Sequence, residues 1–170
     1  MQNLELIVLV RMVHVMAGVI WAGATFVLAA VIVPIAARYG SEGAGRWTAM
    51  VAGRVGPISG IAALLTVLSG GYLFATLHSH DSSAEGLVLK TGAVAALLSL
   101  AIGFLIGRPT GLKLARLSEQ QSLGAAPPAE LLQKISGLRL RATLSSRFTA
   151  ALLGLAVVSM AGFRYAQAIF

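Results

Sequence analysis

The chain has no cysteine among its 170 residues. That absence excludes disulfides, thiolate metal sites and iron–sulfur clusters. Charge is also scarce, since only 11% of residues are Asp, Glu, Lys or Arg, and just 6 of them are acidic. None of the acidic residues falls inside a long apolar run. A mean hydropathy of +0.84 together with so little charge excludes an ordinary soluble domain. No nucleophile–base pair and no phosphate-binding loop occurs, so hydrolase and nucleotide-dependent activities have no support.

What the chain does have is four apolar runs: Met12–Ala37, Val55–Leu77, Leu87–Gly107 (interrupted only by Lys90) and Phe148–Phe163. A bilayer core about 30 Å thick takes roughly 20 helical residues to cross. With helical continuation on either side, the expected spans are about 6–33, 55–77, 87–107 and 148–168. The fourth reaches full length if Arg164 snorkels to the interface. The expected fold is therefore all-α: a single integral membrane four-helix bundle occupying residues 1–170, with no room for a separate soluble domain. The start of the chain lacks the basic segment of a signal peptide, and its first apolar run is too long for one, so helix one is expected to be retained.

A net charge of +7 raises the question of nucleic acid, but the distribution of charge answers it. Arg38, Arg46 and Arg54 lie between spans one and two. Arg108, Lys113, Arg116, Lys134, Arg139, Arg141 and Arg147 lie between spans three and four. Only Arg11, Lys90 and Arg164 lie toward the other side. This is the asymmetry of the positive-inside rule. It predicts a multi-pass protein of a bacterial inner membrane, with both basic loops cytoplasmic and both termini outside. The basic loops then contact anionic lipid rather than nucleic acid.

Pro34 is expected to end or kink helix one. Trp47, Met50 and Val51 share a face suited to a short interfacial helix. Ser69-Gly70-Gly71 permits close helix approach in span two. Span three should continue as a polar-faced helix to about Gln121. Gly124–Pro128 should turn, and a helix carrying Leu131, Leu132, Ile135 and Leu138 on one stripe should feed span four. That makes a short cytoplasmic helical hairpin. Each half repeats the order span, basic connector, span, which suggests a weak internal repeat.

Helix one carries the sharpest constellation. Arg11, His14, Gly18, Trp21 and Thr25 follow at spacings of +3, +4, +3 and +4 and so form one stripe. An imidazole or guanidinium facing lipid is costly, so the stripe should face the bundle interior. His14 is a candidate metal ligand, or alternatively a structural histidine bonded to a backbone carbonyl. Gly18 either leaves room for a flat macrocycle or packs against a helix. Trp21 either packs or bonds a ligand. His78, Lys90 and Arg164 lie toward the same end of the bundle. Arg11, Lys90 and Arg164, without an acidic residue inside the spans, suggest an anionic ligand such as haem propionates or a lipid phosphate. Snorkelling is the other reading of Lys90 and Arg164. His78 is a possible second axial ligand. The loop His78-Ser-His80-Asp81 offers donors for Cu(II) or Zn(II), and Met12 and Met16 offer thioethers for Cu(I).

With these residues in place, His14-x6-Trp21-Ala22-Gly23 resembles the first-helix signature of a group of small bacterial four-helix membrane proteins. The group includes CopD-type copper-resistance domains and HemJ-type protoporphyrinogen oxidases. Thr66-x3-Gly70 and Leu87-x2-Lys90 also resemble it. The resemblance covers the whole chain in layout and a few residues in motif. It implies that His14 binds b-type haem and that Lys90 is needed for activity. The oxidases also carry Asn-Glu-x-Pro before the last span, which 136–151 lacks. The leading expectation is a haem b protein transferring electrons or oxidising porphyrin at the outer leaflet, with quinone as a possible partner. The alternatives are a copper-handling protein, and a non-catalytic subunit of a homo-oligomer or larger membrane complex.

Overall fold

A computed structural model describes residues 2–38, 44–79, 81–122 and 129–169. Every described element is helical. Helix α1 is Gln2–Val27, followed by a π-helical turn at Leu28–Ile32 and by α2, Val33–Arg38. Helix α3 is Ala44–Leu77. Helix α4 is Ala84–Ile102, followed by a second π-helical turn at Gly103–Gly107 and by α5, Arg108–Ser122. Helix α6 is Ala129–Gly162, and a 3₁₀ turn at Phe163–Tyr165 leads to α7, Ala166–Ile169.

Among the described residues, four helical segments are long and apolar enough to cross a membrane: Leu4–Ala36, Gly53–Leu77, Ala84–Leu117 and Ala129–Tyr165. The packing is that of a protein whose solvent is lipid. Large apolar side chains point outward along every span, among them Met16, Ile61, Leu105 and Val158, all more than half exposed. A soluble domain would bury such residues. The interior is instead made of small ones. Trp21, Ala62, Ala63, Ala95, Ala96, Leu153 and Ala156 form the core, with at least one residue from each span. Alanine lets the backbones approach, as membrane helices need when lipid is as apolar as their own side chains. Trp21 and Leu153 are the larger side chains in this cluster. These features define a multi-pass helical membrane protein.

The two halves are built alike. Helix α1 packs along α3, and α4 packs along α6. In each half the first span widens into a π-helical turn, and a proline follows two residues later: Leu28–Ile32 before Pro34, and Gly103–Gly107 before Pro109. Proline lacks an N–H and its ring crowds the carbonyl four residues back, so the wider turn relieves both. The expected stop at Pro34 is thus a local widening through which the helix continues.

Two further expectations need correction. The connector does not form a separate interfacial helix, because α3 runs unbroken from Ala44 through Pro57 to Leu77. Gly53, at the position a proline ring crowds, carries no side chain and gives the backbone room to adjust. The side chain of Trp47 lies outside the described residues, as do the turn at Gly124–Pro128 and His80. At the other end, span four does not continue as α-helix to about 168. It tightens into the 3₁₀ turn after Gly162, as helix C-termini commonly do. The expected hairpin beyond spans three and four is present. Helix α5 packs on the first half of α6, with Thr110 and Ile135 buried.

Candidate functional site

The helix-one stripe faces α3 and the core along most of its length. His14 is half-buried, and its Nδ1 lies 2.9 Å from the backbone carbonyl of Thr66. A carbonyl can only accept, so Nδ1 carries the proton, and the uncharged tautomer compatible with this bond has its lone pair on Nε2. No group among the described residues bonds Nε2.

The ring lies flush against Gly70. A Cβ at that position would stand 2.7 Å from Cε1 and 3.0 Å from Nδ1 of His14. Only glycine admits the imidazole there. Ser69 adds its hydroxyl 3.4 Å from Nδ1 while donating to the carbonyls of Leu65 and Thr66. Thr66 turns its own hydroxyl back to Ala62 O at 2.7 Å, so its carbonyl is the atom offered to His14. Nδ1–H bonded to a carbonyl, with Nε2 open, is the arrangement that orients ligating histidines in metal sites.

The rest of the stripe divides. A Cβ on Gly18 would meet Thr66 Cγ2 at 3.7 Å, an ordinary contact distance, so Gly18 faces α3 at a helix contact. Trp21 is 5% exposed and packs in the four-span core. Thr25 bonds the carbonyl of Trp21 within its own helix. Arg11 is exposed, one turn beyond His14.

The residues expected to join His14 from the other helices form a second, separate cluster. Lys90 donates from Nζ to the backbone carbonyl of Asp81 at 2.7 Å. The Asp81 carboxylate accepts from Ser83 N at 2.9 Å and from Ser83 Oγ at 2.6 Å. Ser83 in turn caps α4 by accepting from Gly86 N. The Ser83 bonds hold the Asp81 carboxyl below its ordinary pKa, and the positive charges of His78 and Lys90 add to the effect. Lys90 is therefore tied to the loop, a partner that inspection of the spans alone did not reveal.

His78 follows the last residue of α3, eight positions and about 12 Å along the axis beyond Gly70. Its ring stands edge-on to Phe163 at 5.9 Å. The Arg164 guanidinium lies over the Phe163 ring at the same separation, 5.9 Å. His78 and Arg164 thus both contact Phe163 at the end of span four, and no hydrogen bond or ring contact among the described residues joins either to His14. Met12 and Met16 point outward, 61% and 63% exposed. Among the described residues no three His, Asp or Glu side chains gather in a metal-binding group.

Sequence reasoning placed Ser69 at a helix contact but missed its approach to His14, and it missed the Asp81–Ser83 cap. It also missed Ser99, which is fully buried and donates to the carbonyl of Thr149 at 3.1 Å. A hydroxyl alone in an apolar run was the available signal for Ser99. The Ser83-Ala-Glu-Gly86 start of α4 was the signal for the cap.

The fold and site thus define a helical multi-pass membrane protein with an anchored intramembrane histidine. Comparison with known protein families, with curated proteins and with solved structures gives no match to this chain.

Proposed function

We propose that this protein binds b-type haem in the outer half of its bundle, with His14 as an axial ligand, and serves electron transfer or the oxidation of a porphyrin or quinone-class substrate. One observation carries the reading: the His14 ring is seated on Gly70 with Nδ1 bonded to Thr66 O, which leaves Nε2 for a metal. The donor fits an iron ligand. With Gly18 and Trp21 packed against the other helices, the haem of this reading lies on the open side of His14 rather than in the core. Arg11, exposed one turn away, is the cation available to an acidic substituent there. Bound haem would supply one-electron chemistry. The protein's part is to fix the ring's tautomer and orientation and to hold it in a low-dielectric setting.

In this reading Lys90 belongs to the loop at Asp81 and His78 to the contact with Phe163, so neither would hold the haem. The membrane proposed is the bacterial inner membrane, with the basic connectors cytoplasmic and both termini outside, on the strength of the charge asymmetry. Copper handling draws no support from the outward-facing methionines.

The test is an absorption spectrum of detergent-purified protein, first oxidised and then reduced with dithionite. A Soret band with reduced α and β bands is expected. It should be lost in His14→Ala and kept in His80→Ala. A protein that stays colourless after haemin is added overturns the proposal.

A further inference from the structure

The hairpin of α5 and α6 carries an open groove of about 640 Å³ on its surface. Cations line both of its walls. Lys113 and Arg116 stand one turn apart on α5, and Lys134 and Arg141 stand two turns apart on α6. Leu138 contributes apolar surface between them, and no carboxylate appears in the lining among the described residues. All four cations are exposed, and an anion seated between the two helices would meet positive charge from both walls.

Gly137 sharpens the point. It lies inside a 34-residue helix, where glycine weakens the helix. Gly70 faces His14 and Gly92 faces Ser159 at close range, whereas others, Gly111 on α5 among them, face open space. A Cβ on Gly137 would meet nothing within 4 Å. Its missing side chain serves no helix contact and widens the groove.

Depth favours the membrane surface. The span starting at Ala84 is 34 residues long, whereas about 20 cross the hydrocarbon. Counted from that start, Lys113 falls about 14 Å past the hydrocarbon edge, whereas Arg141, counted back from Tyr165 at the end of span four, falls about 6 Å past it, at headgroup level. On α6 the seven positions from Lys134 to Arg141 span about 10 Å, room for more than one anionic centre.

We propose that this groove is a binding site for a molecule carrying two phosphate groups, held between the Lys113–Arg116 pair and the Lys134 and Arg141 side chains. The site does not depend on the His14 reading. The full-length protein in detergent is titrated with a two-phosphate lipid (diphosphatidylglycerol) and, separately, with phosphatidylcholine, and bound lipid is counted by native mass spectrometry. A third arm uses inorganic pyrophosphate alone, read as a shift in melting temperature.

The two-phosphate lipid is expected to bind in preference to phosphatidylcholine. Its binding should weaken about tenfold in Arg141→Gln. It should also weaken in Gly137→Leu, which fills the groove without touching a charge and favours the helix. Arg139→Gln removes an equal charge from the other face of α6 and should bind as wild type. Pyrophosphate binding with the same dependence on Arg141 and Gly137, and displacement of the lipid by it, would make a free diphosphate the source of the same chemistry. Equal binding by Arg141→Gln and Arg139→Gln, or no preference over phosphatidylcholine, overturns the proposal.

Discussion

His14 donates from Nδ1 to the carbonyl of Thr66 at 2.9 Å, a bond that joins residues 52 apart in sequence. The second half of the bundle holds its counterpart: Ser99 on α4 donates to the carbonyl of Thr149 on α6. In both pairs the threonine hydroxyl bonds back four residues along its own helix, to Ala62 O and to Ser145 O. Each hairpin is thus pinned by one polar side chain from its first span to a threonine carbonyl of its second. The halves differ in the side chain used. Serine closes its site completely, whereas histidine keeps a second nitrogen with no partner among the described residues.

Gly70 is the first residue to change. Alanine there would bring a Cβ to 2.7 Å from His14 Cε1, so the imidazole must move or α1 must shift away. Gly70→Ala is expected to destabilise the protein by about 1–3 kcal/mol, as overpacking does, and to abolish the haem spectrum proposed for His14. Gly71→Ala is the control, since nothing lies within 4 Å of a Cβ at that position. Spectra and detergent melting curves of the two variants measure the difference. Equal behaviour would mean that the ring's seat on Gly70 has no consequence.

Ser99 tests whether the pin in the second half is structural. Its hydroxyl is fully buried and bonds across 50 residues to Thr149. Interhelical bonds of this kind average about 0.6 kcal/mol in membrane proteins, with a maximum near 1.7. Ser99→Ala should therefore lower stability by about 0.5–1.5 kcal/mol and leave any haem signal intact. Unfolding of the two proteins in mixed micelles measures this. A loss of the spectrum in Ser99→Ala would show that the two halves do not act separately.

Asp81 predicts a pH dependence of the loop cap. Its carboxyl titrates below its ordinary value because Ser83 donates to it twice. The stabilisation from such a group is complete above about pH 4, the ordinary value, and is lost as pH falls through the lowered one. Amide exchange at Gly86 and Leu87, the first turn of α4, should accelerate on acidification in that range. Asp81→Asn should raise exchange at neutral pH and remove the dependence. A flat profile in the wild-type protein would contradict the assignment.

The four spans and the hairpin were legible because lipid imposes length and hydropathy on every crossing helix. The stripe on helix one was legible too, since 3.6-residue periodicity fixes which side chains share a face. Its partners were not. That Gly70 receives His14 depends on how far α3 is rotated against α1, and sequence spacing carries no rotation. The gathering of Lys90 and His78 with His14 failed for a related reason. Similar depth along a bundle does not place two residues on facing sides, and the loop at Asp81 lay nearer to Lys90 than any span did. Pro34 misled because a π-helical turn can absorb a proline that would otherwise end the helix.

The absence of cysteine makes the proposed orientation directly measurable. A single cysteine at Ser82, exposed in the loop before α4, or at Ser136, exposed on the hairpin, is the only thiol in its variant. Both positions stand outside the buried core, so neither change should disturb the fold. Seven cations sit between spans three and four, and charge bias of that size sets orientation during insertion. A membrane-impermeant maleimide added to intact spheroplasts should label the Ser82→Cys variant and spare the Ser136→Cys variant until the membrane is broken. The reverse pattern would put the basic groove and its phosphate chemistry outside the cell and the His14 end inside. The proposed outer-leaflet redox role would then fail, even if the protein proved to bind haem.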